Sequence, residues 1–164
     1  MLLGNRSQGE AARAETWSAR ASVQAEPGEV LEALTDPELI AAWAPVSFEL
    51  EANGGRALCG GCRDRVSGSI VGLRTSFDVE VTRADREALE LVAEGPLAID
   101  VTYAFQEQPG GVLVDATVGL RRSRGITAQL MRGAVVALLN AGALDGALQR
   151  LAASLRERSE LLAA

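Results

Sequence analysis

From Thr16 to Ala25 apolar and polar residues alternate, with Trp17, Ala19, Ala21, Val23 and Ala25 set against Ser18, Arg20, Ser22 and Gln24. A period of two predicts a half-buried first strand. Pro27 suits a first helical turn, and Val30, Leu31 and Leu34 follow at helical spacing until Thr35-Asp36-Pro37 interrupts. Asp36 can cap a second helix that starts at Pro37, carries Leu39, Ile40 and Trp43 on one face and stops at Pro45. Two short helices are therefore expected directly after the first strand.

Val46, Phe48 and Leu50 then alternate with Ser47, Glu49 and Glu51, Asn53-Gly54-Gly55 supplies a turn, and Arg56 to Val66 reads as the returning strand. Further strands are predicted near Ser69 to Leu73, Thr75 to Arg83, Ala88 to Ala93, Leu97 to Gln106 and Val112 to Leu120. The connections are short enough for antiparallel pairing. From Ile126 to Arg158 there is no proline, and Leu130, Ala134, Ala137, Ala141, Leu144, Leu148, Leu151 and Leu155 keep helical spacing. One long C-terminal helix is expected there. Residues 1–15 are polar and without period and read as a flexible leader, which leaves 16–160 for a folded domain. The order of elements predicts an α+β helix-grip fold, a curved antiparallel sheet wrapped around the long C-terminal helix, with space enclosed between them.

The segment Pro27 to Pro45, PGEVLEALTDPELIAAWAP, resembles the two-helix opening of the START-like (SRPBCC) superfamily, in particular its polyketide cyclase/dehydrase and lipid-transport group. The element order extends the likeness from about Thr16 to Leu155. The resemblance implies a cavity between sheet and long helix. It does not fix an activity, because carriers, aromatase/cyclases and accessory or regulatory proteins of the superfamily share that opening, and no catalytic motif can be carried over residue by residue.

Composition narrows the chemistry. The 164 residues suit one domain, and aromatics make up only 4%, so that Ala, Val and Leu must fill most of the interior. Sixteen basic against 22 acidic side chains give a net charge of -6, a poor match for nucleic acid. The local cluster Arg121, Arg122 and Arg124 reads as a solvated basic edge. Histidine is absent, which excludes Ser-His-Asp, Cys-His and histidine-metal chemistry within this chain. No cofactor or metal is expected. The first residues lack the apolar run of a signal peptide, and no apolar stretch is long enough for stable membrane insertion, so the cytoplasm is the expected location.

Five residues are candidates for ligand contact. Asn140 is the only polar side chain in Gly133 to Leu144, GAVVALLNAGAL, and is expected either to point into the enclosed space or to bond a strand backbone or a water. Tyr103 shares the alternating face Leu97, Ile99, Val101, Tyr103, Phe105 and would offer a hydroxyl in an apolar chamber, unless it serves packing alone. Trp43 would line the entrance or anchor the core. Arg63 and Arg65 would meet an anionic or enolate group if their strand face were inward; the competing parity turns Leu58, Cys62, Asp64 and Val66 inward and both arginines to water. Asp78, Glu80, Asp100 and Asp115 read as the solvated face of the sheet.

Cys59-Gly60-Gly61-Cys62 has redox or half-zinc spacing, but no further Cys or His completes a zinc site, and residues three apart in a regular strand face opposite ways. Two unpaired thiols are expected. The leading functional expectation is binding of a hydrophobic, lipid-like or polyketide-like molecule. A polyketide cyclase, aromatase or dehydratase is the enzymatic alternative, with inward arginines its distinguishing mark. An accessory or regulatory role and a homodimer remain open from sequence.

Overall fold

The structure is a computed structural model and describes residues 15–45, 48–50, 57–70, 72–121 and 125–164. The leader expected over 1–15 and the turn at Asn53-Gly54-Gly55 lie outside the described residues, apart from Glu15. Strand β1 (Glu15–Val23) leads into α1 (Pro27–Thr35) and α2 (Pro37–Ile40). Six more strands follow: β2 (Phe48–Leu50), β3 (Arg63–Ile70), β4 (Leu73–Ala84), β5 (Ala88–Glu94), β6 (Ala98–Gln108) and β7 (Gly111–Leu120). The chain closes with α3 (Ile126–Asn140) and α4 (Ala143–Ala163). All seven strands form one antiparallel sheet in the order β1-β7-β6-β5-β4-β3-β2, so the first strand pairs with the last. This is the expected α+β helix-grip architecture.

The two short helices start where their capping residues predict. The backbone N–H of Glu26 donates to the Glu29 carboxylate at 2.8 Å and Pro27 opens α1, while the Asp36 carboxylate accepts the N–H of Glu38 at 2.9 Å and Pro37 opens α2. Helix α2 is a single turn; residues 41–43 continue as turns that bring Trp43 back over α1, with its amide bonded to the Ile40 carbonyl.

The single C-terminal helix expected from spacing is broken. Helices α3 and α4 meet at 58°, and Gly142 sits between them with φ 90°, a left-handed conformation that ends one helix and starts the next. The break resets the phase. On α4 the expected stripe holds, with Leu144, Ala147, Leu148, Leu151 and Leu155 buried. On α3 it does not: Ala128 and Met131 are the buried positions, whereas Leu130 is 67% exposed. Among the described residues, no single helix is long and apolar enough to cross a membrane.

Two further expectations change in the sheet. The segment near Ser69 to Leu73 is a hairpin rather than a strand: β3 ends at Ile70, Gly72 turns with φ 78°, and Ile70 pairs with Leu73. The returning strand starts at Arg63, because Cys59 to Cys62 form a tight turn in which the Cys62 N–H donates to the Cys59 carbonyl at 3.0 Å and Gly61 takes φ 81°. That turn brings the two sulfurs together as a disulfide, with Cα atoms 5.3 Å apart. The expectation of two unpaired thiols rested on strand geometry, which a turn does not have.

One core joins α4 and α1 to the inner face of β1, β7, β6 and β5, with Val30, Leu89, Val114, Ala116 and Leu151 wholly buried. A second cluster, including Ile70, Phe77, Leu97 and Met131, packs β4 and neighbouring strands against α3. The cavity lies between these two clusters.

Candidate functional site

The alternation of β4, β5 and β6 turns one set of side chains inward. Phe77 and Val79, then Leu89, Leu91 and Ala93, then Ile99, Val101 and Tyr103 form a curved apolar floor. Above it two adjoining lobes remain open. The first, of about 250 Å³, is roofed by Leu34, Pro37, Ile40 and Trp43 and closed at one side by Leu58. The second, of about 260 Å³, is roofed by Val135, Leu138 and Leu139 of α3 and by Leu144 and Ala147 of α4. Ile40, Trp43, Ile70, Ile99, Val101 and Tyr103 wall both lobes. The low aromatic content has this physical result: short side chains coat the sheet but do not fill the arch.

Trp43 stands both at the cavity and in the core cluster. Its ring walls both lobes, its indole N–H donates to the Ala33 carbonyl at 2.8 Å, and its own carbonyl accepts Nε of Arg150 on α4 at 3.1 Å. The residue thus ties α2, α1 and α4 together at the cavity. Leu58 is a wall residue outside the five candidates; its amide N–H bonds the Thr35 carbonyl at the end of α1 at 3.0 Å. It belongs to no helix or strand and precedes the turn at Cys59 to Cys62.

Tyr103 lies on β6 opposite Leu89 of β5 and Ala116 of β7 and is 8% exposed. No described residue hydrogen-bonds its hydroxyl. Burial alone raises its pKa from the ordinary 10.0 to about 12, so the hydroxyl is a neutral donor over the whole working pH range. The sign for stability follows. Between pH 10 and about 12 the unfolded chain loses this proton and the folded chain keeps it, so stability falls by about 1.4 kcal/mol per pH unit in that window and is unaffected below it. Because the chain has one tyrosine, ultraviolet absorbance of tyrosinate reads the site directly. The signal is expected only near pH 12, together with unfolding; titration near 10 with the fold intact would contradict the burial.

The other candidates lie elsewhere. Asn140 is exposed and does not wall the cavity; its side-chain oxygen accepts the indole N–H of Trp17 at 2.9 Å, which fastens the end of α3 to β1. The helix break before Gly142 rotates Asn140 off the sheet-facing stripe. Arg63 and Arg65 project outward, where each faces an acid directly across β4: Arg63 pairs with Glu80 at 3.2 Å and Arg65 with Asp78 at 3.4 Å. Asp100 and Asp115 are likewise paired with Arg121 and Arg20 on that outer face. The inward parity on β3 carries Asp64, Val66 and Ile70 instead. Asp64 is buried, with one oxygen accepting the Arg65 backbone N–H at 2.8 Å.

Against known proteins, the family described as polyketide cyclase/dehydrase and lipid transport matches residues 15–156. Among solved structures, DynU16, from the dynemicin biosynthetic locus, superposes with a TM-score of 0.59 at 24% identity, covering 86% of this chain and 47% of its own. The chain thus spans about half the length of that protein. TTHA0849 of Thermus thermophilus gives 0.63 at 21% identity over 88% of this chain and 99% of its own, and CV1439 of Chromobacterium violaceum gives 0.62 at 15% over 85% and 96%. None of the curated proteins compared matches. These likenesses establish the fold.

Proposed function

The chain belongs to the polyketide cyclase/dehydrase and lipid transport family, and from that premise we propose that it binds a hydrophobic small molecule in the two-lobed cavity beneath α2, α3 and α4. The observation that carries the reading is the wall itself. Among the described residues, fifteen line each lobe, and apart from Tyr103 and the indole of Trp43 they are aliphatic, proline or phenylalanine side chains. Such a surface gains about 25 cal/mol for each Å² of apolar area removed from water, and pockets of this kind take ligands by apolar burial with few polar contacts.

Binding is favoured over cyclase or dehydratase chemistry by where the arginines lie. An enolate-stabilising site requires a cation or an array of donors aimed at the developing charge, and Arg63 and Arg65 are engaged with acids on the opposite face of the sheet.

The test is titration with N-phenylnaphthylamine, a neutral apolar fluorophore, read by its own enhancement and by Trp43 emission in a Trp17→Phe background. One saturable site that perturbs Trp43 is expected. Non-saturable enhancement with unchanged Trp43 emission would overturn the proposal.

A further inference from the structure

We propose, building on that reading, that the ligand carries its hydrogen-bonding group near its middle, as a ketone or ester carbonyl or a hydroxyl flanked by two apolar arms, and is not a molecule with a polar head at one end. The geometry behind this is the position of Tyr103. Its side chain walls both lobes, is more than nine-tenths buried and has no hydrogen-bonding partner among the described residues. Tyr103 lines the cavity with no partner for its hydroxyl among the described residues, so a ligand acceptor at the junction of the lobes can take the hydroxyl proton in a hydrogen bond without breaking an existing one. The neighbouring polar atom, the indole N–H of Trp43, is already committed to the Ala33 carbonyl.

Both lobes become apolar away from that junction. The far wall of the first is formed by Leu34, Phe77 and Val79, and that of the second by Val135, Leu138 and Leu144. A molecule with a terminal carboxylate or phosphate would have to desolvate its charge against such walls or leave half of the space unfilled. A centrally substituted molecule fills one lobe with each arm and places its oxygen by Tyr103. The hydroxyl, held neutral by burial, is a donor to that oxygen.

Displacement of N-phenylnaphthylamine by two isomeric ketones tests the inference. Dipentyl ketone has a central carbonyl, methyl nonyl ketone a terminal one, and undecanoate adds a terminal charge at the same chain length. Dipentyl ketone is expected to bind about fivefold more tightly than methyl nonyl ketone, with undecanoate weakest. Tyr103→Phe, which removes only the hydroxyl, is expected to erase the difference between the ketones by weakening the central one. Equal affinity of the two ketones, tighter binding of undecanoate, or an unchanged preference in Tyr103→Phe would overturn the inference while leaving the cavity reading intact. Failure of the fluorophore itself to bind would overturn both.

Discussion

Val101→Trp is expected to abolish uptake of apolar ligands while the protein stays folded. Val101 stands in the middle of β6, paired with Leu91 on one side and Val118 on the other, and walls both lobes. An indole at this position projects into open space, so it removes volume from the first and second lobes at once. The expected loss is about a hundredfold in affinity for N-phenylnaphthylamine, or about 2.7 kcal/mol. Overpacking a filled core costs about 1 to 3 kcal/mol; entry into a cavity avoids most of that, and the urea midpoint is expected to be nearly unchanged. Retained binding in a folded Val101→Trp protein would place the ligand outside the arch.

Leu151→Ala is expected to show the reverse behaviour, a large loss of stability. Leu151 is fully buried at the centre of the α4 stripe and belongs to the cluster that includes Val23, Val112 and Val114 of β1 and β7. Truncation removes the transfer energy of the side chain and leaves a cavity, for about 2 to 5 kcal/mol. Leu161→Ala on the same helix, where the side chain is 78% exposed, is expected to change stability by less than about 0.5 kcal/mol. Urea denaturation of the two variants gives the comparison, and similar losses in both would mean that α4 does not pack on the sheet through this stripe. Leu144 and Ala147 on α4 also roof the second lobe, so the same docking that stabilises the fold keeps the cavity closed.

The parts of this architecture that were legible in the sequence are those with a local physical signal. Pro27, Asp36 and Pro37 mark helix starts through dihedral and capping chemistry, and the alternation through Ile99, Val101 and Tyr103 marks the inward face of β6. Tyr103 and Trp43 follow from those faces and are at the cavity. The break in the C-terminal helix left no such mark, because Gly142 sits among small residues that keep helical spacing on both sides and is distinguished only by its φ. The error in Asn140 follows from that one residue, since every position before the break changes phase.

The arginines were ambiguous for a different reason. A slip of one residue along a strand exposes the opposite face, and the turn at Cys59 to Cys62 interrupts the alternation from which the parity is counted. A usable signal is present: alternation puts Asp78 and Glu80 on the solvated face, and opposite charges across antiparallel strands favour one another. The hairpin through Gly72 places Arg65 opposite Asp78 and Arg63 opposite Glu80. Counting back from that turn would have turned both arginines outward.

The most direct test of the account is a crystal structure of the protein grown with dipentyl ketone. Density for the ligand is expected beneath α2 and α3, with one arm in each lobe and the carbonyl oxygen within hydrogen-bonding distance of the Tyr103 hydroxyl. Ligand density on the exposed outer side of α3, beside Ile126 and Leu130, with the two lobes collapsed or empty, would contradict it.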